Sequence, residues 1–517
     1  MKNIRYIYTL ILGISLGFSV IGCSDLVEEP VALLSPEGYF QDVNDIQSAV
    51  NGALTHAINE EIWGRKLSVS LMMRSDMVGN RSTESRRIEM TSHTISGDNE
   101  MVYDPWVRIY LGISAANTAI SGSEDVNVDD SIKNPVTAQA YFIRAFYYFH
   151  LVRLFGDIPY FDSPVTDKEV GANVSNTLEA EVYENIIADL KFAKTWLPET
   201  VTSRAIPSKG AASSYLALVY LTMAGNDSGS EYWQMAFDEA KEVINNAGTY
   251  NFALDNDFQT LFNAEKIDAS LEPIFALDYN NVEADDNAYD QIAAMTGVRG
   301  DEDEEGWSVA VPPLAVYLSF DEGDYRRRVS FQTECIMNDS VVVNYTNFTL
   351  SGNSFAVNTP YIAKYTRYPG PYAKTNKRAT SHNYSMLRYA EVLLIAAEAA
   401  VEIGDNGSAL TYINQVRERA RLGGESTNGG YIEEIIPPSN VPANLTGTVT
   451  AADVLEERRI ELAFEGIRWY DIKRRQLGDV VFSASGYIGE VPGWNASEDY
   501  DTPIPDQELN RMPNISN

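Results

Sequence analysis

The sequence predicts a mostly α-helical protein, in which paired helices form a scaffold and a loop-rich, irregular half carries the ligand site. Apolar side chains recur at helical spacing over long segments, whereas the region 248–383 is rich in Gly, Pro, Asn, Asp and Tyr. With 517 residues, the chain is long enough to bury a large core. Residues 35–517 should form one unit, with the helical scaffold mainly at 35–60, 105–247 and 384–475 and the ligand-binding region mainly at 60–104 and 248–383.

The N-terminus has the pattern of a secretory signal. Basic residues precede an uncharged apolar run at 7–21, which is too short for a comfortable membrane span. Cys23 follows the end of this run, as in bacterial lipoproteins, in which a peptidase cuts before the Cys and acyl chains anchor the protein. We expect 1–22 to be a signal peptide, Cys23 to be lipidated and 23–34 to be an acidic tether. The alternative is an ordinary secretory signal with a chance Cys.

The mature chain is strongly acidic. The formal net charge is −34, and it becomes −36 when Lys2 and Arg5 are removed with the signal peptide. Nucleic acid and anionic membrane surfaces are therefore poor partners, and a neutral ligand or a complementary protein face fits better. With Cys23 lipidated, Cys335 has no intrachain disulfide partner, so the fold must depend on packing.

Several helices are predicted before the first helix pair. Residues 35–37, Ser-Pro-Glu, have the features of a helix start, since Ser can cap the backbone and Pro is tolerated in the first turn. Further helices are predicted at 105–120, 135–155 and 178–197, where apolar residues recur every three or four positions.

Two regions have the pattern of antiparallel helix pairs. Residues 210–224 and 232–247 are joined by a Gly-Asn-Asp-Ser-Gly loop, and residues 384–403 and 408–421 by a Gly-Asp-Asn-Gly turn. Small Ala residues at crossing positions, with large Leu, Tyr and Trp between them, resemble a tetratricopeptide helix pair. The 34-residue repeat of that motif is not strict here, so we interpret the two regions as divergent pairs.

Residues 455–475 form the strongest motif, which we define as the signature segment. Its apolar residues lie on one face of a predicted helix and its charges on the other faces. We interpret these charges as structural and not catalytic, because opposite charges three or four residues apart stabilise a helix without any substrate. The predicted pairs are Arg458 with Glu461, Glu465 with Arg468, and Asp471 with Arg475.

The signature segment also carries a family resemblance. It reads Glu457-Arg458-Arg459-x-Glu461-Leu462-x-x-Glu465-Gly466-x-Arg468-x-x-Asp471. This string resembles the C-terminal motif of the SusD/RagB family of outer-membrane nutrient-binding lipoproteins of Bacteroidetes. Segments at 106–117, 387–391, 414–420 and 503–509 are similar to other motifs of that family and fall in the same order. The resemblance covers nearly the whole mature chain.

The resemblance implies a tetratricopeptide-like scaffold and a function in nutrient capture. Members of the family sit at the outer membrane, facing the cell exterior, as lids on a SusC-like TonB-dependent transporter barrel. They bind glycans, in some cases peptides, and are not enzymes. We therefore expect a cell-surface lipoprotein that captures an oligo- or polysaccharide and passes it to such a transporter, with no cofactor, catalytic residue or metal. The alternatives are a surface glycosidase and a peptide-binding member of the same family.

Catalytic and metal-binding motifs give little support to an enzyme. The four His residues form no HExxH pair, and no nucleotide-binding glycine loop or G-x-S-x-G string is present. Residues 301–306 begin like a calcium-binding loop, but Glu305 and Pro312 stand where an Asp or Asn and a Glu are required. A glycosidase needs two carboxylates at a fixed separation, and among 73 acidic residues the sequence marks no such pair.

Candidate ligand contacts fall in two segments, following the pattern of the family. Aromatic faces can stack on sugar rings, and Arg and Asn can hydrogen-bond their hydroxyl groups. The first segment has no Trp, and no Tyr before Tyr103, so it offers no simple stacking platform. The strongest single candidate is Trp307, for which packing beneath its own loop is the alternative. The first segment follows Ser75-Asp76 and contains Asn80, Arg81 and Arg86; the second precedes Pro312-Pro313 and contains Tyr289, Arg299 and Trp307; weaker candidates are Tyr365, Tyr368 and Tyr372.

Three arginines of the first segment suggest an acidic ligand. Arg81, Arg86 and Arg87 lie close together in a strongly acidic protein. They could bind the carboxylate or sulfate of an acidic glycan. The alternative is that they pair with Glu84 and Glu89.

Overall fold

The computed structural model describes residues 38–279, 290–300, 306–337, 341–348, 358–370, 380–428 and 432–517. Several predictions concern residues outside these ranges, namely the signal peptide 1–22, Cys23 with the tether 23–34, the helix start at 35–37, Tyr289, Tyr372, and positions 301–305 of the calcium-like loop. Within the described residues, the first helix begins at Val43, where the Asp42 side chain caps the backbone amides of Asn44 and Asp45.

The predicted fold class is confirmed, because long helices dominate the described residues. Asn99 caps the fourth helix through its side chain, so this helix begins before the predicted position 105. None of the described helices is both long and apolar enough to cross a membrane. The helices up to residue 250 are α1 (Val43–Ala57), α2 (Lys66–Met73), α3 (Ser85–Ser92), α4 (Glu100–Ser123), α5 (Asp130–Phe155), α6 (Lys168–Ala172), α7 (Glu179–Trp196), α8 (Lys209–Ala224), α9 (Tyr232–Asn245) and α10 (Ala247–Tyr250).

The remaining helices are shorter, apart from one further pair. Short 3₁₀ turns lie at Phe258–Phe262, Ile267–Ala269 and Tyr345–Asn347. The helices are α11 (Ile292–Thr296), α12 (Leu314–Leu318), α13 (Tyr325–Ser330), α14 (Tyr389–Glu402), α15 (Asn406–Ala420), α16 (Ala451–Glu461), α17 (Arg468–Arg474), α18 (Gly478–Val481) and α19 (Asp506–Arg511).

Both predicted helix pairs are present. Helices α8 and α9 pack against each other, as do α14 and α15, and α9 also packs against α14, so the two pairs are neighbours. Helix α14 is buried along nearly its whole length, from Tyr389 to Ala400, as its all-round apolar sequence predicts. Among the earlier helices, α1 packs against α4 and α5 against α7.

The predicted helix start at residue 384 is wrong. Residues Tyr384–Arg388 form a strand, which pairs antiparallel with a strand at Pro273–Leu277. An apolar run that is buried on both sides does not distinguish a strand from a helix by its period, which explains the error.

The described strands form five two-stranded antiparallel sheets, not one continuous sheet. The run Val341-Val342-Val343 forms a strand, as its sequence predicts. The strands are β1 (Gly79–Asn80), β2 (Pro273–Leu277), β3 (Ala310–Val311), β4 (Phe331–Gln332), β5 (Glu334–Met337), β6 (Val341–Asn344), β7 (Tyr361–Ile362), β8 (Tyr384–Arg388), β9 (Gly424–Asn428) and β10 (Ile432–Ile436), and they pair as β1–β3, β2–β8, β4–β7, β5–β6 and β9–β10.

The signature segment is not one helix. Helix α16 ends at Glu461, and α17 begins at Arg468. Between them, Phe464 and Gly466 have φ angles of 67° and 76°, in the left-handed region, which a continuous helix does not permit.

The predicted charge pairs of the signature segment are wrong as well. The break separates only Glu465 from Arg468; in the other two pairs the side chains bind other partners although their helix is continuous. Arg458 binds Asp471 at 2.9 Å, and Arg468 binds Asp76 at 2.8 Å. These charges therefore connect distant parts of the chain and are buried, which supports their interpretation as structural. Further pairs include Arg458 with Glu391, Glu461 with Arg326, Arg388 and Arg419, Glu465 with Lys364 and Arg388, Asp471 with Arg474, and Arg475 with Glu402.

Candidate functional site

The two predicted binding segments lie side by side in the fold. The pairing of β1 with β3 places Asn80 opposite Ala310. One residue further along, the Arg81 amide donates a hydrogen bond to the Val309 carbonyl at 2.9 Å. We define the region around this junction as the candidate site, which consists of Asn80, Arg81, Arg299, Trp307 and Ser308.

The signature segment holds the start of the first binding segment in place. The Arg468 guanidinium donates from Nε and Nη2 to the two carboxylate oxygens of Asp76, both at 2.8 Å. The Asp76 residue is 1% exposed, so this bidentate pair is largely desolvated and fixes the orientation of both partners. Residue 76 lies three positions before β1, and the ion pair therefore positions the candidate site without belonging to it.

Two glycines close the base of the second binding segment. A side chain at Gly306 would place its Cβ 2.0 Å from the carbonyl carbon of Gly297, so only glycine permits this approach. The Gly306 amide donates to the Val298 carbonyl at 3.0 Å, and the Trp307 amide to the Ala294 carbonyl at 2.6 Å. Trp307 thus directly follows the point at which the backbone at Gly306 contacts the backbone at Gly297.

The backbone beside Trp307 is strained. Ser308 has a φ of 54°, a left-handed conformation that is uncommon for a residue other than Gly, Asn or Asp. Its buried hydroxyl lies 2.5 Å from the Tyr361 hydroxyl, which is also buried, and this contact holds the conformation. Trp307 itself is half-buried and packs partly against the main core, so part of the indole remains exposed.

The three arginines of the first segment differ in their surroundings. Arg86 pairs with Glu84 and with Glu100, both at 2.6 Å, and Arg87 pairs with Glu84 at 3.1 Å. Arg81 is exposed, and within the described part of the chain its side chain forms no ion pair. The alternative interpretation therefore fits Arg86 and Arg87 for Glu84 but not for Glu89, which accepts hydrogen bonds from Ser96 and Asn99 instead. Arg81 keeps an accessible charge.

The other candidate residues differ in their exposure and in their hydrogen bonds. Arg299 is exposed, and Asn80 forms a local turn in which its side chain hydrogen-bonds the backbone of Ser82 at 2.8 and 3.0 Å. Tyr365 is buried, and its hydroxyl donates to the Phe464 carbonyl at 3.0 Å, so it supports the signature segment and does not face solvent. Tyr368 is half-buried.

Sequence reasoning missed the two residues that shape the site. Ser308 was not selected because a Ser carries no sequence signal of a left-handed backbone. Tyr361 lies on β7, more than fifty positions along the chain, so its contact with Ser308 follows only from the tertiary fold. Only the glycines at 297 and 306 gave a local signal, because glycine in a binding loop often marks a close backbone approach.

The described residues contain no group of three or more His, Cys, Asp or Glu side chains arranged to hold a metal ion. Residues of the candidate site offer an aromatic face, an exposed guanidinium and amide groups. This combination can stack on a ring and hydrogen-bond its substituents, but it contains no pair of a nucleophile and a base.

Comparison with known proteins identifies the family. Residues 315–517 match the family model described as the SusD family, and residues 36–221 match one described as starch-binding associating with outer membrane. SusD-like protein P2 of Formosa agariphila is 45% identical to this chain, over 100% of this chain and 99% of the relative. The chain belongs to the SusD family.

Solved structures of SusD proteins share the fold. A SusD homolog from Bacteroides thetaiotaomicron superposes with a TM-score of 0.78 at 20% identity, covering 93% of this chain and 97% of the other. A laminarin binding SusD-like protein superposes with a TM-score of 0.72 at 22% identity, covering 92% of this chain and 99% of the other. These likenesses confirm the helical architecture predicted for this SusD-family protein.

Only part of the candidate site falls within the ranges that match the family models. Asn80 and Arg81 lie inside the matched range 36–221. Arg299 and Trp307 lie between the two matched ranges, at 222–314. The junction of β1 and β3 therefore brings a part of the chain that matches the family models next to one that lies between them.

Proposed function

We propose that this protein is a cell-surface glycan-binding lipoprotein, which captures an oligo- or polysaccharide and passes it to a SusC-like TonB-dependent transporter barrel in the outer membrane. The observation that carries the proposal is the candidate site, where the half-buried Trp307 lies two residues before the segment that pairs with Asn80 and the exposed Arg81. A flat apolar face beside hydrogen-bonding groups is complementary to a sugar ring. Capture then consists of stacking and hydrogen bonding, with no covalent step.

Family membership supports the same function. The family model that matches residues 36–221 is described as starch-binding, and a structural neighbour is described as laminarin-binding. We propose a polysaccharide ligand for this chain too. The absence of paired catalytic groups in the described candidate site favours binding over hydrolysis by a surface glycosidase.

We also propose that the chain is exported and anchored to the outer membrane through lipid on Cys23, facing the cell exterior. The apolar run at 7–21 that ends next to this Cys supports export, and the acidic composition of 23–34 suits an extended tether. In vivo labelling with an alkyne fatty acid tests the anchor, with Cys23→Ala as the matched variant. Labelling that survives the substitution would contradict this assignment.

Affinity electrophoresis tests the ligand class. The purified protein is run through native gels that contain neutral glucans or uronic-acid polysaccharides, with bovine serum albumin as the control. We expect retardation by at least one polysaccharide and no new reducing ends after prolonged incubation. New reducing ends would favour the glycosidase, and binding on a peptide array with no retardation in any gel would favour the peptide-binding alternative.

Purification of the tagged protein from solubilised outer membranes tests the hand-off. A TonB-dependent barrel should co-purify in near-equal amount, and uptake of the retarding polysaccharide should fail in a deletion strain. Isolation of the lipoprotein without any barrel would contradict transfer to a transporter, while glycan binding could still stand.

A further inference from the structure

The backbone that carries Trp307 is held by α11 and by the chain just after it. We define residues 306–309 as the Trp307 segment. All four of its amides donate hydrogen bonds to carbonyl groups between positions 294 and 298. Two of these carbonyls belong to α11, at Ala294 and Met295, so the position of the Trp307 segment depends on the position of α11. The bonds run from Gly306 to Val298 at 3.0 Å, from Trp307 to Ala294 at 2.6 Å, from Ser308 to Gly297 at 3.0 Å and from Val309 to Met295 at 3.1 Å.

The start of α11 is tied to a distant part of the chain. The helix has five residues, too few to be stable without outside contacts. Its first amide, at Ile292, donates to one carboxylate oxygen of Asp290 at 2.7 Å, and the Thr380 hydroxyl donates to the other at 2.5 Å. The Thr380 amide also donates to the Asp290 carbonyl at 3.3 Å, and the Gln291 amide donates to the Gly64 carbonyl at 2.7 Å. We define the contacts of the Asp290 carboxyl with Ile292 and Thr380 as the latch.

The latch is built on a buried acid. Asp290 is 3% exposed, and no charged group of the described residues offsets its burial. Burial raises the pKa of Asp290 from 3.8 to about 6, although the hydrogen bonds from Thr380 and Ile292 oppose this shift. A pKa that is higher in the buried state means that the proton favours the closed latch, and that its loss above about pH 6 favours opening.

The titratable side chains around Asp290 keep one protonation state between pH 5 and pH 7. Burial raises the pKa of Tyr279, Tyr365 and Tyr384, and the charge of Asp290 acts in the same direction. His382, whose amide donates to the Thr380 hydroxyl oxygen at 3.3 Å, has its pKa lowered to about 4 by burial. Among the described residues of this cluster, Asp290 is therefore the group that titrates in that range.

We propose that Asp290 is a positioning residue for the candidate site, whose carboxyl ties α11 to Thr380 and thereby holds the Trp307 segment, more firmly as a neutral acid than as a carboxylate. Asp290 is buried, so it acts through α11 and not as a ligand contact. The inference rests on the proposed glycan-binding function only in its last step, from the position of Trp307 to affinity.

Hydrogen exchange followed by mass spectrometry tests the latch without any ligand. The amides of Trp307 and Val309 exchange only when the segment opens, because their hydrogen bonds to α11 protect them. If opening exposes Asp290 to water, its pKa returns to 3.8, and the opening equilibrium should rise about tenfold between pH 5 and pH 7. Rates are corrected for intrinsic exchange, and peptides from α8 report other effects of pH. An opening equilibrium that does not change with pH would overturn the proposal.

Variants assign the change to Asp290. Asp290→Asn can still bond both partners but carries no charge, so its segment should open as rarely at pH 7 as at pH 5. Thr380→Val keeps the shape of the side chain and removes one bond, so opening should rise about fivefold. Asp290→Ala removes both bonds and should raise it further. If Asp290→Ala does not fold, the other two variants still decide.

Ser208→Ala is the matched control for a lost buried hydrogen bond. The Ser208 side chain is buried and caps α8 by accepting from the Ala211 amide at 3.2 Å. Its substitution should cost stability but leave exchange of the Trp307 segment unchanged. Equal exchange of this segment in Thr380→Val and Ser208→Ala, or pH-dependent opening in Asp290→Asn, would contradict the latch.

Affinity for the polysaccharide that retards the protein in native gels connects the latch to function. At pH 7, Asp290→Asn should bind at least as tightly as the unaltered protein, and Thr380→Val about threefold more weakly, since a smaller fraction of it has Trp307 in place. Equal affinities beside altered exchange would overturn the positioning role. Should no polysaccharide retard the protein, the proposed function fails, while the exchange measurements still decide whether the latch exists.

Discussion

The signature segment and the candidate site use charged and aromatic residues in opposite ways. In the signature segment the charges are buried and bound to partners far along the chain, as Glu461 is to Arg326. In the candidate site Arg81 is exposed and Trp307 is only half-buried. The segment that identifies the family therefore stabilises the fold, and the residues proposed to bind ligand lie elsewhere. Substitutions in the two regions should separate stability from binding.

The largest expected effect is on stability, at Glu461. This buried carboxylate contacts the guanidinium groups of Arg388 at 2.5 Å, Arg326 at 3.0 Å and Arg419. Glu461→Gln leaves three buried cations without their shared anion, so we expect a loss of about 3–5 kcal/mol in the free energy of unfolding. Urea unfolding followed by circular dichroism measures it.

Glu418→Gln is the matched control for Glu461→Gln. The Glu418 side chain is 55% exposed and lies 3.9 Å from Arg421, so its removal should cost less than about 1 kcal/mol. If both substitutions cost the same, the signature charges are not the main electrostatic support of the fold.

The second prediction concerns the pH dependence of stability. Burial alone would raise the pKa of Asp471, but Arg458 and Arg474 outweigh it and lower the pKa from 3.8 to about 2. Because the folded-state pKa is depressed, this carboxylate contributes its full stability above pH 4 and loses it as the pH falls from about 4 to 2. The contribution is about 2 kcal/mol. Between pH 7 and pH 3, Asp471→Asn should lose less of its free energy of unfolding than the unaltered protein does. Urea unfolding at the two pH values measures this difference.

The pKa of Asp290, a buried carboxylate two residues before α11, should shift stability in the opposite sense. Burial raises its pKa from 3.8 to about 6, against the hydrogen bonds from Thr380 and Ile292. Its stabilising contribution is present below pH 4 and is lost as the pH rises through about 6. Asp290→Asn should therefore gain stability relative to the unaltered protein between pH 4 and pH 7. A parallel response of Asp290→Asn and Asp471→Asn would contradict the opposite pKa shifts of these two buried carboxylates.

The third prediction applies to an acidic glycan, if one retards the protein. Arg81→Gln should weaken binding about fivefold, or roughly 1 kcal/mol, because its charge is exposed and unpaired among the described residues. Arg86→Gln should change affinity less than about twofold, since Glu84 and Glu100 already neutralise its charge. Affinity gels with a uronic-acid polysaccharide measure both. Equal losses of affinity in the two variants would indicate that the whole arginine cluster binds the ligand.

The smallest effects compare two strained residues. Gln476, exposed after the signature segment, has a φ of 53°, so Gln476→Gly should stabilise the protein by about 1 kcal/mol. Ser308→Gly relieves a similar φ of 54° but removes the hydroxyl that lies 2.5 Å from the buried Tyr361 hydroxyl. Its net gain should be near zero or negative. The midpoints of thermal unfolding measure both changes in stability. A clear gain in stability in Ser308→Gly would mean that Ser308 is not held by this contact.

The sequence predicts the helix pairs well but not the contacts of the signature segment. The pair α8–α9 follows from an apolar period and a Gly-rich loop, both of which are local. The charge pair of Glu465 with Arg468 was wrong because Phe464 and Gly466 interrupt the helix there. The other two pairs were wrong because their side chains bind other partners in preference to their helical neighbours. Partners such as Arg326 and Arg388 lie more than seventy positions away, and no local spacing encodes such a distance.

The candidate site was predicted in part for a related reason. Its two segments were selected on the pattern of the family, but β1 and β3 have two residues each, too few for an alternating pattern to indicate their pairing. The packing of elements that lie far apart in the sequence determines where such a site forms.

Binding and stability of Trp307→Ala test the central claim most directly. The dissociation constant for the retarding polysaccharide and the free energy of unfolding are measured on the same protein, with Trp196→Ala as the control for a half-buried Trp outside the site. Loss of a stacking anchor should weaken binding about thirtyfold, or roughly 2 kcal/mol, while both variants stay folded and Trp196→Ala binds normally. Unchanged affinity in a folded Trp307→Ala protein would contradict the separation of the binding site from the family signature.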